Sequence, residues 1–246
     1  MDAYQPDLAC IHDRGFTGFV SKAAPGLLRM LRQNGICKGL VVDAGCGSGI
    51  WARQLTERGY EVLGIDISPA MIRLARRHAP NAKFRVASLF EADLPRCDAV
   101  TSIGECVNYA FDRRSGKQGL FQFFRRVFRA LRPGGVFAFD IVEPGIVPDG
   151  GPQRRFLEGR GWAILVETRE NKREATLERK ITSFLRQGLL YRRGDEVHRL
   201  HLYSGEIVLG ELRRVGFEAK MMDGYGRSRF TPAHKAFLAV KPSNSN

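Results

Sequence analysis

Seven residues, Asp43-Ala44-Gly45-Cys46-Gly47-Ser48-Gly49, restrict what this chain can fold into more than any other feature. They follow Gly39–Asp43 (GLVVD), a short apolar run of the kind that forms a strand buried on both faces. Ile50–Arg58 then has helical character, and Gly59 closes it. Glycine at alternate positions lets the backbone turn sharply between strand and helix, with no Cβ between the chain and a ligand. A second strand, Glu61–Asp66, ends on an acid 17 residues beyond Gly49, where a carboxylate can hold both hydroxyls of a ribose. The third glycine of a dinucleotide fingerprint would fall on Ile50, so the NAD form of the motif is not met.

The alternation continues. Ser68 reads as an N-cap with Pro69 at the first helical position, opening a helix over Ala70–His78. Lys83–Ala87 and Asp98–Ser102 read as the third and fourth strands. Leu120, Phe121, Phe124, Val127, Phe128 and Leu131 recur at helical spacing, with Arg125, Arg126, Arg129 and Arg132 on the solvent side. Pro133-Gly134-Gly135 stops that helix before a fifth strand, Val136–Asp140. Strands alternating with helices predict a doubly wound, mostly parallel α/β sheet.

After Asp140 the pattern changes. Pro144, Gly145, Pro148, Gly150, Gly151 and Pro152 predict a loop, followed by three antiparallel strands at Trp162–Thr168, Ala175–Phe184 and Leu189–Leu202. A helix at Gly205–Val215 and strands at Phe217–Met222 and Ala236–Val240 complete the sheet at seven strands. Asp2–Lys22 and Ala24–Asn34 read as helices ahead of the first strand. One domain therefore spans 1–246, divided into an N-terminal lid at 1–35, a core at 36–144, an insert at 145–203 and the end of the core at 204–246.

The Asp43–Gly49 loop and Asp66 resemble motif I and the following acidic strand end of the class I S-adenosylmethionine-dependent methyltransferases. Leu63–Ala75 (LGIDISPAMIRLA) and Leu131–Asp140 (LRPGGVFAFD) are similar to later stretches of that superfamily, and the likeness covers roughly residues 38–142. It implies a Rossmann-like fold with S-adenosyl-L-methionine as cofactor. Gly45, Gly47 and Gly49 would pass along the methionine portion, with Asp43 beneath the loop and Asp66 on the ribose. Ile67 and Met71 would face the adenine. Ser88 and Leu89 stand where many relatives carry an acid for the adenine amino group, so the serine is a departure. Ile103, Gly104 and Glu105 would lie near the reacting sulfonium. Tyr4–Phe19 and the stretch 160–203 resemble the lid and β-insert of glycine and sugar N-methyltransferases, which roof a small-molecule acceptor.

On the acceptor side the candidates are Glu105, His198, His201 and Tyr203, the last three read as sharing one face of the final insert strand. Glu105, His198 and His201 are the groups available as a base, and Tyr4, His12 and Phe16 are expected to close from the lid. Glu105, Asn108 and Tyr109 have a second reading as loop caps or packing, and the His198, His201 and Tyr203 face has one as plain surface. His78 reads as a helix C-terminal residue, and Cys46 and Cys106 as small fillers.

Composition sets outer limits. The five cysteines have no CxxC pairing and no metal spacing, which predicts no metal site and a reducing cytoplasm. No run approaches the roughly 18 apolar residues of a membrane span, and Met1–Phe16, with Asp2, Asp7 and Asp13, lacks a signal-peptide pattern. The formal charge of +13 raises nucleic acid as a partner. However, arginine outnumbers lysine 30 to 9 and the charge is spread along the chain, even though residues 151–200 hold 12 basic against 7 acidic groups. No RNA-binding signature accompanies it. The expected partner is a small-molecule acceptor methylated at N or O, on a monomer or homodimer. The rival readings are an RNA or protein methyltransferase and a non-catalytic cofactor-binding protein.

Overall fold

The computed structural model describes residues 3–148 and 151–243. Asp2 of the expected first helix and Gly150 of the expected loop lie outside the described residues. Two helices come first, α1 (Pro6–Gly15) and α2 (Gly18–Gln33). The break between them falls at Phe16-Thr17 rather than after Lys22, and α2 carries Pro25 inside it.

The core then alternates β1 (Gly39–Ala44), α3 (Ile50–Thr56), β2 (Tyr60–Asp66), α4 (Pro69–His78), β3 (Lys83–Val86), β4 (Cys97–Ser102), α5 (Lys117–Ala130) and β5 (Leu131–Val142). The Ser68 hydroxyl accepts a hydrogen bond from the Met71 amide at 3.2 Å, the cap expected at the head of α4. Helix α5 buries Leu120, Phe123, Phe124 and Val127, and its apolar stripe meets Phe137 and Phe139 of β5. The Pro133–Gly135 segment belongs to β5 rather than to a turn before it. Gly134 donates to the Lys241 carbonyl at 2.8 Å, and Lys241 donates back to Gly135 at 2.9 Å.

The insert holds four antiparallel strands, β6 (Gln153–Gly159), β7 (Trp162–Asn171), β8 (Thr176–Gln187) and β9 (Leu190–His201). The chain closes through α6 (Gly205–Val215), β10 (Glu218–Met222), the short pair β11 (Gly224–Tyr225) and β12 (Ser228–Arg229), and β13 (His234–Val240). The main sheet runs β10-β13-β5-β4-β1-β2-β3, with β13 antiparallel to its two neighbours and the other pairings parallel. This is the expected seven-stranded α/β sheet. Parallel pairing brings the carboxyl ends of β1, β2, β4 and β5 to one edge, the edge where doubly wound folds collect ligands.

Candidate active site

Asp43, Asp66 and Asp140 are the acids that β1, β2 and β5 bring to that edge. The glycine loop folds over it, with Gly45 and Gly47 at φ +82° and +52°. Gly45 and Cys46 both donate to the Ile65 carbonyl, at 2.7 and 3.0 Å. The Asp66 carboxylate accepts from the Gly47 amide at 2.9 Å and the Ser68 amide at 2.8 Å. Each of its oxygens keeps a lone pair for a ligand hydroxyl. Asp43 is buried and accepts from the Thr101 hydroxyl at 2.9 Å, and Thr101 in turn accepts from the Trp51 indole at 3.1 Å. Burial pushes the Asp43 carboxyl up to about 7, against the Thr101 hydrogen bond.

The turn after β4 is held from below. Asp140 accepts from the amides of Gly104 at 2.9 Å and Glu105 at 2.5 Å, and from the Tyr225 hydroxyl at 2.9 Å. These bonds hold Glu105 in the left-handed region at φ +57°, a conformation that a residue with a side chain keeps only when its surroundings enforce it. The Glu105 side chain pairs with Arg179 through both carboxylate oxygens. Tyr109 lies at 3.4 Å and His234 at 3.5 Å from the same carboxylate, and the Tyr4 hydroxyl lies 3.0 Å from that of Tyr109. Burial raises the Glu105 pKa, but Arg179 and His234 together outweigh it and hold the carboxyl at about 2. That pairing keeps the Glu105 carboxylate charged and occupied.

One cavity of about 530 Å³ joins these groups. It reaches Asp43, Gly45, Gly47, Asp66, Ile67, Met71, Ser88, Leu89, Ile103, Gly104 and Glu105 of the core. Tyr4, His12 and Phe16 enter from the N-terminal segment, and Arg155 and Arg179 from the insert. Ser88 turns its hydroxyl to its own loop, accepting from the Phe90 amide at 3.0 Å.

The other expected residues stand elsewhere. Gly49 does not line the cavity; a Cβ there would come 2.8 Å from the Ala75 Cα, so its bare backbone serves the contact of α3 with α4. His198, His201 and Tyr203 do not share a face. His198 and Leu200 point inward, whereas His201 has the opposite parity and Tyr203 follows the end of β9. His198 is buried behind the cavity wall, 2.9 Å from Glu196 and with its ring against those of Tyr4 and Phe111. His201 turns to Ser115 at 3.3 Å, and Tyr203 sits in the apolar core beneath the main sheet. His78 contacts the Ser48 carbonyl of the glycine loop at 2.8 Å, from the end of α4.

Arg179 lines the cavity and pairs with Glu105, and it is absent from the candidates expected from sequence. The signal was present: residues 177, 179, 181 and 185 share the inner face of β8, and a charge among Leu177, Ile181 and Leu185 marks a buried site in search of a partner. Asp140 and Tyr225 carry no such signal, because their hydrogen bonds to the Glu105 turn join distant parts of the chain.

Residues 41–135 match the family model described as a methyltransferase domain. The 2-heptyl-1-hydroxyquinolin-4(1H)-one methyltransferase of Mycobacteroides abscessus is 36% identical over 160 residues, 59% of this chain and 67% of that protein. The chain belongs to the class I S-adenosylmethionine-dependent methyltransferases. Two solved structures share the fold across nearly the whole chain. A methyltransferase from Clostridium acetobutylicum has a TM-score of 0.80 at 20% identity, covering 96% of this chain and 98% of its own. The sugar N-methyltransferase KedS8 from Streptoalloteichus has 0.79 at 24% identity, covering 99% and 96%. Several other curated methyltransferases match over shorter stretches, and the chain spans less than half of their length.

The residues present fit the family's cofactor. A Cβ on Gly47 would meet nothing within 4 Å, so the loop leaves an open approach, and the buried acids at the strand ends suit a sulfonium cation. Among the described residues no group of three or more His, Cys, Asp or Glu side chains could hold a metal ion, and no helix is long and apolar enough to cross a membrane.

Proposed function

We propose that this methyltransferase, acting as a single catalytic unit, transfers a methyl group to an N or O atom of a small-molecule acceptor. The observation that carries the reading is the roofed cavity: its cofactor side is built by the core, and its far side by Tyr4, His12 and Phe16 together with Arg179 of the insert. An acceptor enclosed by three parts of the chain is of limited size, within the range of small-molecule sites. One relative is named for a hydroxyquinolone and one structural neighbour for sugar N-methylation, which frames the choice of atom.

S-adenosylmethionine supplies an electrophilic methyl group on sulfur. The chain's task is to bind, align and exclude water. In this reading Asp66 holds the ribose, while Gly45 and Gly47 let the methionine portion lie close to the backbone. Ile67 and Met71 face the base, and Ile103 and Gly104 flank the reacting centre. Phe16, Phe111 and Tyr109 close the acceptor side against solvent.

Calorimetry with S-adenosylhomocysteine tests the cofactor half. Asp66→Ala should weaken binding by about 1–3 kcal/mol, the scale of a lost charge-assisted hydrogen bond. Absence of binding to the wild-type protein at millimolar concentration would overturn the reading.

A further inference from the structure

A carboxylate facing the acceptor would suit an amine, whose ammonium form it could hold. Here the carboxylate nearest the acceptor side, Glu105, is matched by Arg179 in a two-point ion pair, with His234 and Tyr109 on the same oxygens. The other charged groups on the cavity are already placed. Asp43, Asp66 and Asp140 belong to the strand ends of the cofactor side. Asp112 follows Phe111; its Oδ1 accepts from the Arg114 amide at 2.7 Å, and its Oδ2 is buried with no hydrogen-bond partner among the described residues. Its charge acts on Arg126, which donates to the Leu89 carbonyl, and this places it toward the Ser88–Leu89 end. Arg155 adds a second cation from β6.

The walls on this side are aromatic. Tyr109 and Phe111 stack with centroids 4.9 Å apart and planes 8° from parallel, and His12 stacks on Phe16 at 5.6 Å. Among the described residues the enclosed Nδ1 of His12 has no hydrogen-bond partner. Burial lowers the His12 pKa to about 4, so the ring is uncharged near pH 7 and its enclosed Nδ1 remains a free polar atom.

Resting on the methyl-transfer reading above, we propose that the Glu105–Arg179 pair selects a planar aromatic hydroxyl acceptor over an ammonium acceptor, with His12 taking the hydroxyl proton. In the step, an oxygen lone pair forms the new O–CH₃ bond. The S–CH₃ bond breaks with its electron pair going to sulfur, leaving S-adenosylhomocysteine. The hydroxyl proton, made strongly acidic as the oxygen takes the methyl group, passes to the imidazole and then to water. Arg179 and the Tyr109 hydroxyl face the acceptor oxygen and orient it, and stacking on Phe111 and Tyr109 fixes the ring plane.

The probes are 4-nitrophenol and benzylamine, titrated by calorimetry into protein saturated with S-adenosylhomocysteine, with the nitrophenolate absorption read in parallel. The wild type should bind 4-nitrophenol at least tenfold more tightly than benzylamine and shift the bound probe toward its ionised form. Arg179→Gln exposes an unpaired Glu105 carboxylate and should reverse the order. A Glu105→Gln, Arg179→Gln double variant should lose the preference altogether. Preference for benzylamine in the wild type, binding of neither probe, or an unchanged order in both variants overturns the proposal. The wild-type comparison decides it even if Arg179→Gln fails to fold. Failure to bind S-adenosylhomocysteine sinks the methyl-transfer reading instead, so the two failures are distinct. With S-adenosylmethionine, His12→Phe should lower turnover of unsubstituted phenol at least tenfold, and of 4-nitrophenol, assayed at pH 8.5 where it is already ionised, less than threefold. Equal loss on both phenols, or none, removes His12 from the step. A wild type that methylates neither phenol overturns the hydroxyl assignment.

Discussion

Asp43 stands under the glycine loop, taken out of water and given a single hydroxyl in return, from Thr101. Its pKa rises from an ordinary carboxylate value to about 7 because burial opposes the charged form more than the hydrogen bond favours it. A raised folded-state pKa stabilises the fold below the unfolded value, and that contribution is lost as pH rises through about 7. His12, lowered by burial to about 4, has the opposite slope as pH falls, so the wild-type curve alone mixes the two. A difference measurement separates them. Relative to wild type, Asp43→Asn should gain on the order of 2 kcal/mol between pH 5 and pH 8, since a tenfold difference in proton affinity between folded and unfolded chains is worth about 1.4 kcal/mol. Scanning calorimetry of the ligand-free proteins checks this, and a pH-independent difference would mean that Asp43 stays charged throughout. The same residue links fold to function. In the proposed reading a cationic cofactor above the loop would favour the ionised carboxylate and offset part of the cost of burying it.

At the scale of elements, the acceptor side depends on how α1 is fastened. Trp162 of β7 fills a cluster with Ile11 of α1, Ile164 and Leu185, and its ring lies against the Cα of Gly15. Arg192 pairs with Asp7 on the solvent side of the same contact, where water screens the attraction. Packing therefore holds the lid, and truncation of a buried tryptophan costs about 3–5 kcal/mol. Trp162→Ala should lower the hydrogen-exchange protection of Ala9 and Ile11 amides by tenfold or more. Val42 and Phe137, in the main sheet, should keep theirs. Equal loss in both regions would show that lid and sheet unfold as one. The same elements show what could be read from sequence. The parallel core was legible because apolar strands, glycine stops and the Ser68-Pro69 cap agree with one another. Strand β6 was not: Arg154, Arg155 and Phe156 are all exposed, so no apolar alternation announces it. On β9 the period of two was available but misapplied, and correct parity separates His198 from His201. The cofactor residues were legible through glycine and acid spacing, whereas the Glu105–Arg179 pair arises from residues 74 positions apart.

The whole molecule carries a formal charge of +13, and a polyanionic substrate is the alternative that this number invites. The arginines are distributed over both sheets and many are already paired: Arg132 with Asp98, Arg114 with Glu91, Arg214 with Glu211, Arg199 with Glu178. These pairs lie on α6, on the strands of both sheets and on the loops between, so they mark out no single strip for a nucleic-acid backbone. Arg155 of the insert and the aromatic groups of the N-terminal segment line the cavity together with the core. A small acceptor fits a site of this kind, while a polymer would have to present a flipped base to it at the cost of a few kcal/mol. Salt separates the two cases. A substrate held by six to ten phosphate contacts loses about 10³–10⁵ in affinity between 50 and 200 mM salt. For this enzyme kcat/KM on its small acceptor should change by less than about threefold over the same interval, because screening weakens long-range attraction but leaves a buried, stacked ligand largely untouched. The measurement is a pair of steady-state titrations at those two salt concentrations. A fall of a hundredfold or more would place the basic surface in the substrate path and return the polyanion to first place.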